Sequence, residues 1–231
     1  MLSTRPWLIF ILLSVFTTGT FAIAVMTPPL SGPFCLEGCY EYPFHDIADR
    51  FPRDYYWMYA AIFLFLIYIP AVVVIHHHTN HEKKVNSTSG LIFAVAGALV
   101  LIADYFVQLS VVQPSLLNTE TEGIAMLSQY NPHGYFIVLE ELGYLLLSVS
   151  FIFFAFVFSP EYKPEKAIRI VFLTGFFISI LALLLVSFKY GLHREYYYEV
   201  AAISIVWLVF IINGILLSVY YKRKLLVESV H

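Results

Sequence analysis

The sequence predicts an all-α integral membrane protein, a polytopic bundle of six spanning helices with both termini on the cytoplasmic side. Of the 231 residues, 60% are hydrophobic and only 13% charged, with a mean hydropathy of +0.77. Soluble domains are about 45–50% apolar and about 25% charged. The apolar residues gather in six runs, each close to the ~20 residues needed to cross a hydrocarbon core. Only short polar stretches separate them, so one membrane domain occupies 1–231.

The six windows lie at about 7–26, 55–75, 90–112, 135–158, 168–188 and 199–220. Trp7, Tyr55, Tyr56, Trp57, Tyr135, Tyr196 to Tyr198, Tyr220 and Tyr221 sit at their ends, where amphipathic rings favour the headgroup level. The first run has a second reading. Arg5, an apolar stretch and Ala22-Ile23-Ala24 resemble a signal peptide with its cleavage site. The run is long for a signal peptide, which favours a retained helix; cleavage would leave five spanning helices and the same topology.

Lys and Arg set the orientation, because cytoplasmic loops keep an excess of them. One alternating set of segments holds nine of the 13, namely Arg5, Lys83, Lys84, Lys163, Lys166, Arg169, Lys222, Arg223 and Lys224. The other holds Arg50, Arg53, Lys189 and Arg194. The termini are therefore expected inside, and segments 27–54, 113–134 and 189–198 on the extracytoplasmic face of the cell membrane. Cys35 and Cys39 fall on that oxidising side, where a disulfide persists, although three intervening residues make a tight bridge; two free thiols are the alternative. The net charge of −3 and the absence of a basic block longer than Lys222-Arg223-Lys224 argue against a nucleic-acid partner. No internal repeat is visible.

Ionisable groups inside hydrocarbon are costly and mark sites by default. Asp104, at roughly 1.5 Å per residue, lies about 12 Å below the outer end of the third helix, and Glu140 and Glu141 about 8–9 Å below that of the fourth. The similar depths predict one carboxylate-lined pocket in the outer half of the membrane. Asp104 and Gln108 share a helix face with Gly97, and His133 stands at the mouth of the fourth helix. Glu140 and Glu141 diverge by about 100° and cannot aim at one point. The competing reading is that these carboxyls only fix helix packing.

In the outer segment, His45, Asp46, Asp49, Arg50 and Arg53 are candidates for a lid or for counter-charges, or for ion pairs that merely order the loop. Short surface helices are expected at Ile47 to Phe51 and Glu122 to Tyr130. The run His76-His77-His78-Thr79-Asn80-His81 has spacings that can bring imidazoles to a metal, but without a Cys or acidic partner no metal site is assigned. Asn213-Gly214 reads as a close helix contact.

The stretches His45 through Arg53-Asp54-Tyr55-Tyr56-Trp57-Met58-Tyr59 and Ser128-Gln129-Tyr130-Asn131-Pro132-His133-Gly134 into Leu139-Glu140-Glu141-Leu142-Gly143-Tyr144 resemble a family of prokaryotic multi-pass membrane proteins of about six helices. No activity is assigned to that family, so the resemblance implies the membrane class and no mechanism. Intramembrane CAAX-type proteases also carry paired glutamates, but their arginine three residues later is missing after Glu140-Glu141. The expected function is binding of, or action on, a small apolar or cationic ligand, with membrane lipids as surroundings and no cofactor. A proton- or cation-coupled permease and a structural subunit of a membrane complex are the alternatives, and no catalytic residue is assigned.

Overall fold

Apolar runs of this length, in a medium without hydrogen-bond partners, must satisfy their own backbone, and helices do so within one segment. The computed structural model describes residues 5–27 and 29–228, with no strand among them. Residues 1–4, 28 and 229–231 of the expected single domain lie outside the described residues. The elements are α1 (Trp7–Met26), α2 (Tyr56–His77), α3 (Lys84–Val107), α4 (Gln113–Leu117), α5 (Ile124–Leu127), α6 (Tyr135–Val157), α7 (Lys163–Tyr190) and α8 (Glu195–Glu228).

Six of the helical stretches are long and apolar enough to cross a membrane. Several outrun their expected windows: α7 begins at Lys163 rather than 168, and α8 at Glu195 rather than 199. Hydropathy marks only the part that suits hydrocarbon, while the backbone ladder continues into the polar flanks. Between α3 and α4 the helix does not stop at 112. It widens into a π-helical turn over Gln108–Val112 and runs on to Leu117. Pro114, which offers no N–H and whose ring displaces the carbonyl four residues back, accounts for the widening. A turn of five residues brings Gln108 and Gln113 to the same side, and both are buried.

The chain crosses back and forth, so that 29–55, 118–134 and 191–194 share one end of the bundle, the loop end. Residues 78–83 and 158–162 share the other, the basic end. α3 packs most extensively on α6, α1 lies between α2 and α8, and α7 leans on α6 and α8. Small residues permit the closest approaches. A Cβ on Gly97 would stand 2.7 Å from the Gly143 carbonyl oxygen. Gly214 backs onto α1 at the Phe10 carbonyl, 2.9 Å from where its Cβ would be, and the Ser14 hydroxyl donates to the Ile211 carbonyl at 3.0 Å. The interior is aromatic, with Tyr68 stacked on Phe210 at 4.3 Å. Phe177, Leu181, Leu184, Leu185 and Phe188 on α7 stay exposed, an outward face that suits lipid.

The loop end is ordered by short elements. A 3-10 helix spans His45–Arg50, beginning two residues before the expected Ile47 to Phe51, and α5 covers only Ile124–Leu127 of the expected Glu122 to Tyr130. Cys35 and Cys39 are joined as a disulfide.

Replacing Gly97 with Ala should cost about 1–3 kcal/mol, because the new methyl meets backbone that cannot yield. Thermal unfolding in detergent reads this as a lowered midpoint, whereas Gly19→Ala, with nothing within 4 Å of its added carbon, should leave the midpoint in place.

Candidate ligand-binding site

Three carboxyl groups from three helices meet near the loop end. Asp104 on α3 is 2% exposed, Glu140 on α6 0% and Glu199 on α8 9%. The Tyr105 hydroxyl donates to Glu140 Oε1 at 2.6 Å and lies 3.0 Å from the Tyr144 hydroxyl. Glu140 and Glu199 are within hydrogen-bonding reach of each other, which two carboxyls can use only by sharing a proton. Without one, Asp104 Oδ2, Glu140 Oε2 and Glu199 Oε2 are buried with no donor. None of the ion pairs among the described residues reaches this trio.

Glu141 behaves differently from its neighbour, as the rotation between adjacent helical residues requires. Arg194, in the turn before α8, grips it with two nitrogens, Nη1 to Oε1 at 2.7 Å and Nη2 to Oε2 at 2.7 Å. The same guanidinium stands over the Tyr198 ring, 5.5 Å from its centroid. That guanidinium is therefore committed to Glu141.

Beside the trio is a cavity of about 370 Å³ between α1, α2, α6 and α8. Trp57, Tyr130, Phe136, Tyr196 and Trp207 give it aromatic walls, and Phe21 and Leu30 add aliphatic and ring surface. Glu199 and Asp54 are its acidic members. Asp54 is held by Arg53 at 2.6 Å and accepts the Tyr130 hydroxyl at 3.4 Å. Burial, with Tyr55 and Asp54 adding, pushes the Tyr130 hydroxyl well above the ordinary tyrosine range, so it stays a donor. The loop 29–34 covers one side. Its Ser31 hydroxyl lies 2.7 Å from the Tyr196 hydroxyl, and Gly32, at φ +68°, lies so close to the Tyr196 ring that a Cβ would come within 2.2 Å of it. Only glycine satisfies both conditions.

The residues singled out in the sequence are thus divided. Asp104 and Glu140 join in one cluster, but they sit behind Glu199 rather than in the cavity wall. Gln108 is fully buried and spent on the backbone: its amide N–H donates to the Leu127 carbonyl and its oxygen accepts from Gln129 N at 3.1 Å. That clamp fixes Gln129 and Tyr130 at the cavity and leaves no group for a ligand. Glu141 is neutralised by Arg194. His133 is exposed and pairs with Glu195 at 2.8 Å.

The covering segment lies within the loop 27–54 expected to close the pocket, but not at the residues singled out for it. His45, Asp46 and Asp49 are exposed, and no ion pair joins either aspartate to Arg50 or Arg53 among the described residues. Arg50 donates to the Tyr40 hydroxyl at 2.6 Å and Arg53 pairs with Asp54. The covering segment is 29–34. The basic-end histidines do not converge either: His76 Nδ1 lies 3.0 Å from the Ser87 hydroxyl and His78 Nδ1 3.0 Å from the Val74 carbonyl.

Glu199 escaped the sequence reading because hydropathy places it at the edge of a window. Its helix starts a full turn earlier, and Glu199, Ile203 and Trp207 at four-residue spacing all face the cavity. That periodicity is the signal that could have found it.

No protein-family model, curated protein or solved structure matches the chain.

The Glu141–Arg194 contact should show a coupling of about 1–3 kcal/mol in a double-mutant cycle with Glu141→Gln and Arg194→Gln. Each single variant unfolds at lower temperature than the wild type, and the pair loses less than the sum.

Proposed function

We propose that this is a multi-pass membrane protein that binds a small cationic amphiphile, an ammonium group on an apolar body, in the loop-end cavity. The observation that carries the reading is the placement of Glu199. Its carboxyl joins a trio that no ion pair among the described residues reaches to a cavity walled by two tryptophans, two tyrosines and a phenylalanine. A cation against aromatic faces is attracted by their quadrupoles, and carboxylates removed from water gain most from an opposite charge. The volume falls in the range of about 300–1,000 Å³ usual for small-molecule sites. In this reading the loop end faces outward, with segments 27–54, 113–134 and 189–198 extracytoplasmic, as the excess of Lys and Arg at the other end supports.

A permease coupled to protons or cations is the second reading, and one feature favours it. A further cavity of about 620 Å³ opens at the basic end between Lys83, Tyr162, Glu165, Tyr220 and Lys224. Polar contacts between Ser148 and Ser179 at 2.9 Å and between Tyr68 and Ser150 at 3.4 Å lie between the two ends. Against it, Phe151, Phe154 and Phe210 are fully packed in the same interval, so binding is preferred to passage.

Trp57 and Trp207 make the test direct. Phenyltrimethylammonium should change their fluorescence in the purified protein, and its neutral isostere tert-butylbenzene should compete at least tenfold less well, about 1.4 kcal/mol. Glu199→Gln should weaken the ammonium by a similar factor, and Asp104→Asn by less, since Asp104 acts through the trio and not at the wall. Equal binding of cation and isostere, or a Glu199→Gln variant that binds the ammonium as the wild type does, would refute the reading.

A further inference from the structure

At the loop end, outside the cavity, two histidines and a glutamate from two segments converge. His133 ends the loop that enters α6, His193 closes the turn between α7 and α8, and Glu195 opens α8. One donor atom from each lies within 4.8 Å of the other two. His133 Nδ1 is 2.8 Å from Glu195 Oε1, and the two imidazole centroids are 6.0 Å apart. We infer that His133, His193 and Glu195 form a divalent-metal site suited to Zn2+.

Three features support this beyond proximity. His193 makes no hydrogen bond among the described residues, so its ring nitrogens are available. Arg194, the neighbour that would otherwise neutralise Glu195, is bound on both nitrogens to Glu141. The His133 backbone is held in place, its N–H donating to Asn131 Oδ1 at 3.0 Å while Asn131 Nδ2 donates to the Ala125 carbonyl at 2.8 Å. Two imidazoles and one carboxylate are a donor set Zn2+ takes at about 2.0–2.2 Å, with a fourth position left for water. Donors at those bond lengths stand roughly 3.3 Å apart in a tetrahedron, closer than the outermost separation here, and exposed side chains cover such a gap by adjusting their rotamers. The ion would tie the entrance of α6 to that of α8, the helices that carry Glu140 and Glu199.

The test uses the full-length protein, stripped with a chelator, desalted and titrated with ZnCl2 alone in a calorimeter. One equivalent should bind, and His193→Ala and Glu195→Gln should each weaken it at least tenfold. Co2+ in place of Zn2+ should give the visible absorption of a tetrahedral site in the wild type and lose it in both variants. His193 is exposed, so its variant keeps the wild-type unfolding midpoint without metal. Glu195→Gln keeps the side-chain shape, so the fold is retained. The inference falls if no Zn2+ binds, if both variants bind it as the wild type does, or if binding responds only to His76→Ala, His78→Ala or His81→Ala at the basic end.

Discussion

Carboxyl groups withdrawn from water need a proton, a cation or a dense set of donors, and the rest of this structure is organised around three that lack most of these. Asp104, Glu140 and Glu199 come from α3, α6 and α8 and share one region near the loop end. Tyr105 supplies one strong donor to Glu140, and one oxygen of each group remains without any. A packing role alone would be expected to satisfy those oxygens, as the Arg194 fork satisfies Glu141. Of two adjacent glutamates, Glu141 has a cationic partner and Glu140 has a neutral tyrosine donor alone.

The fold serves this arrangement at several levels. Gly97 and Gly143 let α3 and α6 approach closely enough for Asp104 and Glu140 to share a region. The π-helical turn swings Gln108 inward, where it fastens Leu127 and Gln129 and so places Tyr130 at the cavity. Gly32 lets the loop 29–34 lie on the Tyr196 ring. α1 contributes Phe21, Ala24 and Val25 to the same wall, so a chain without α1 would lack one side of its cavity.

Much of this was legible in the sequence, for physical reasons. The six helices followed from run length, since hydrocarbon permits few alternatives, and the grouping of Asp104 with Glu140 followed from their similar rise from the ends of joined helices. The divergence of Glu141 from Glu140 followed from helical rotation. Glu199 was missed because hydropathy hides a polar residue at the edge of an apolar run behind its tyrosine neighbours. Gln108 and His133 were misplaced because the π turn and the loop path through Asn131 are tertiary outcomes. The expected pairing of Asp46 and Asp49 with Arg50 and Arg53 failed for a related reason. Tyr40, reached only after the loop folds, and the buried Asp54 next in sequence to Arg53 are better partners than exposed carboxylates in water.

The most direct test of the central claim is native mass spectrometry of the protein freshly extracted from its membrane, wild type beside Glu199→Gln. A carboxyl trio without an ion pair among the described residues, at a cavity of about 370 Å³, predicts a cationic small molecule carried by the wild type and absent from the variant. Wild type and variant carrying the same neutral lipids, with no cation on either, would contradict it.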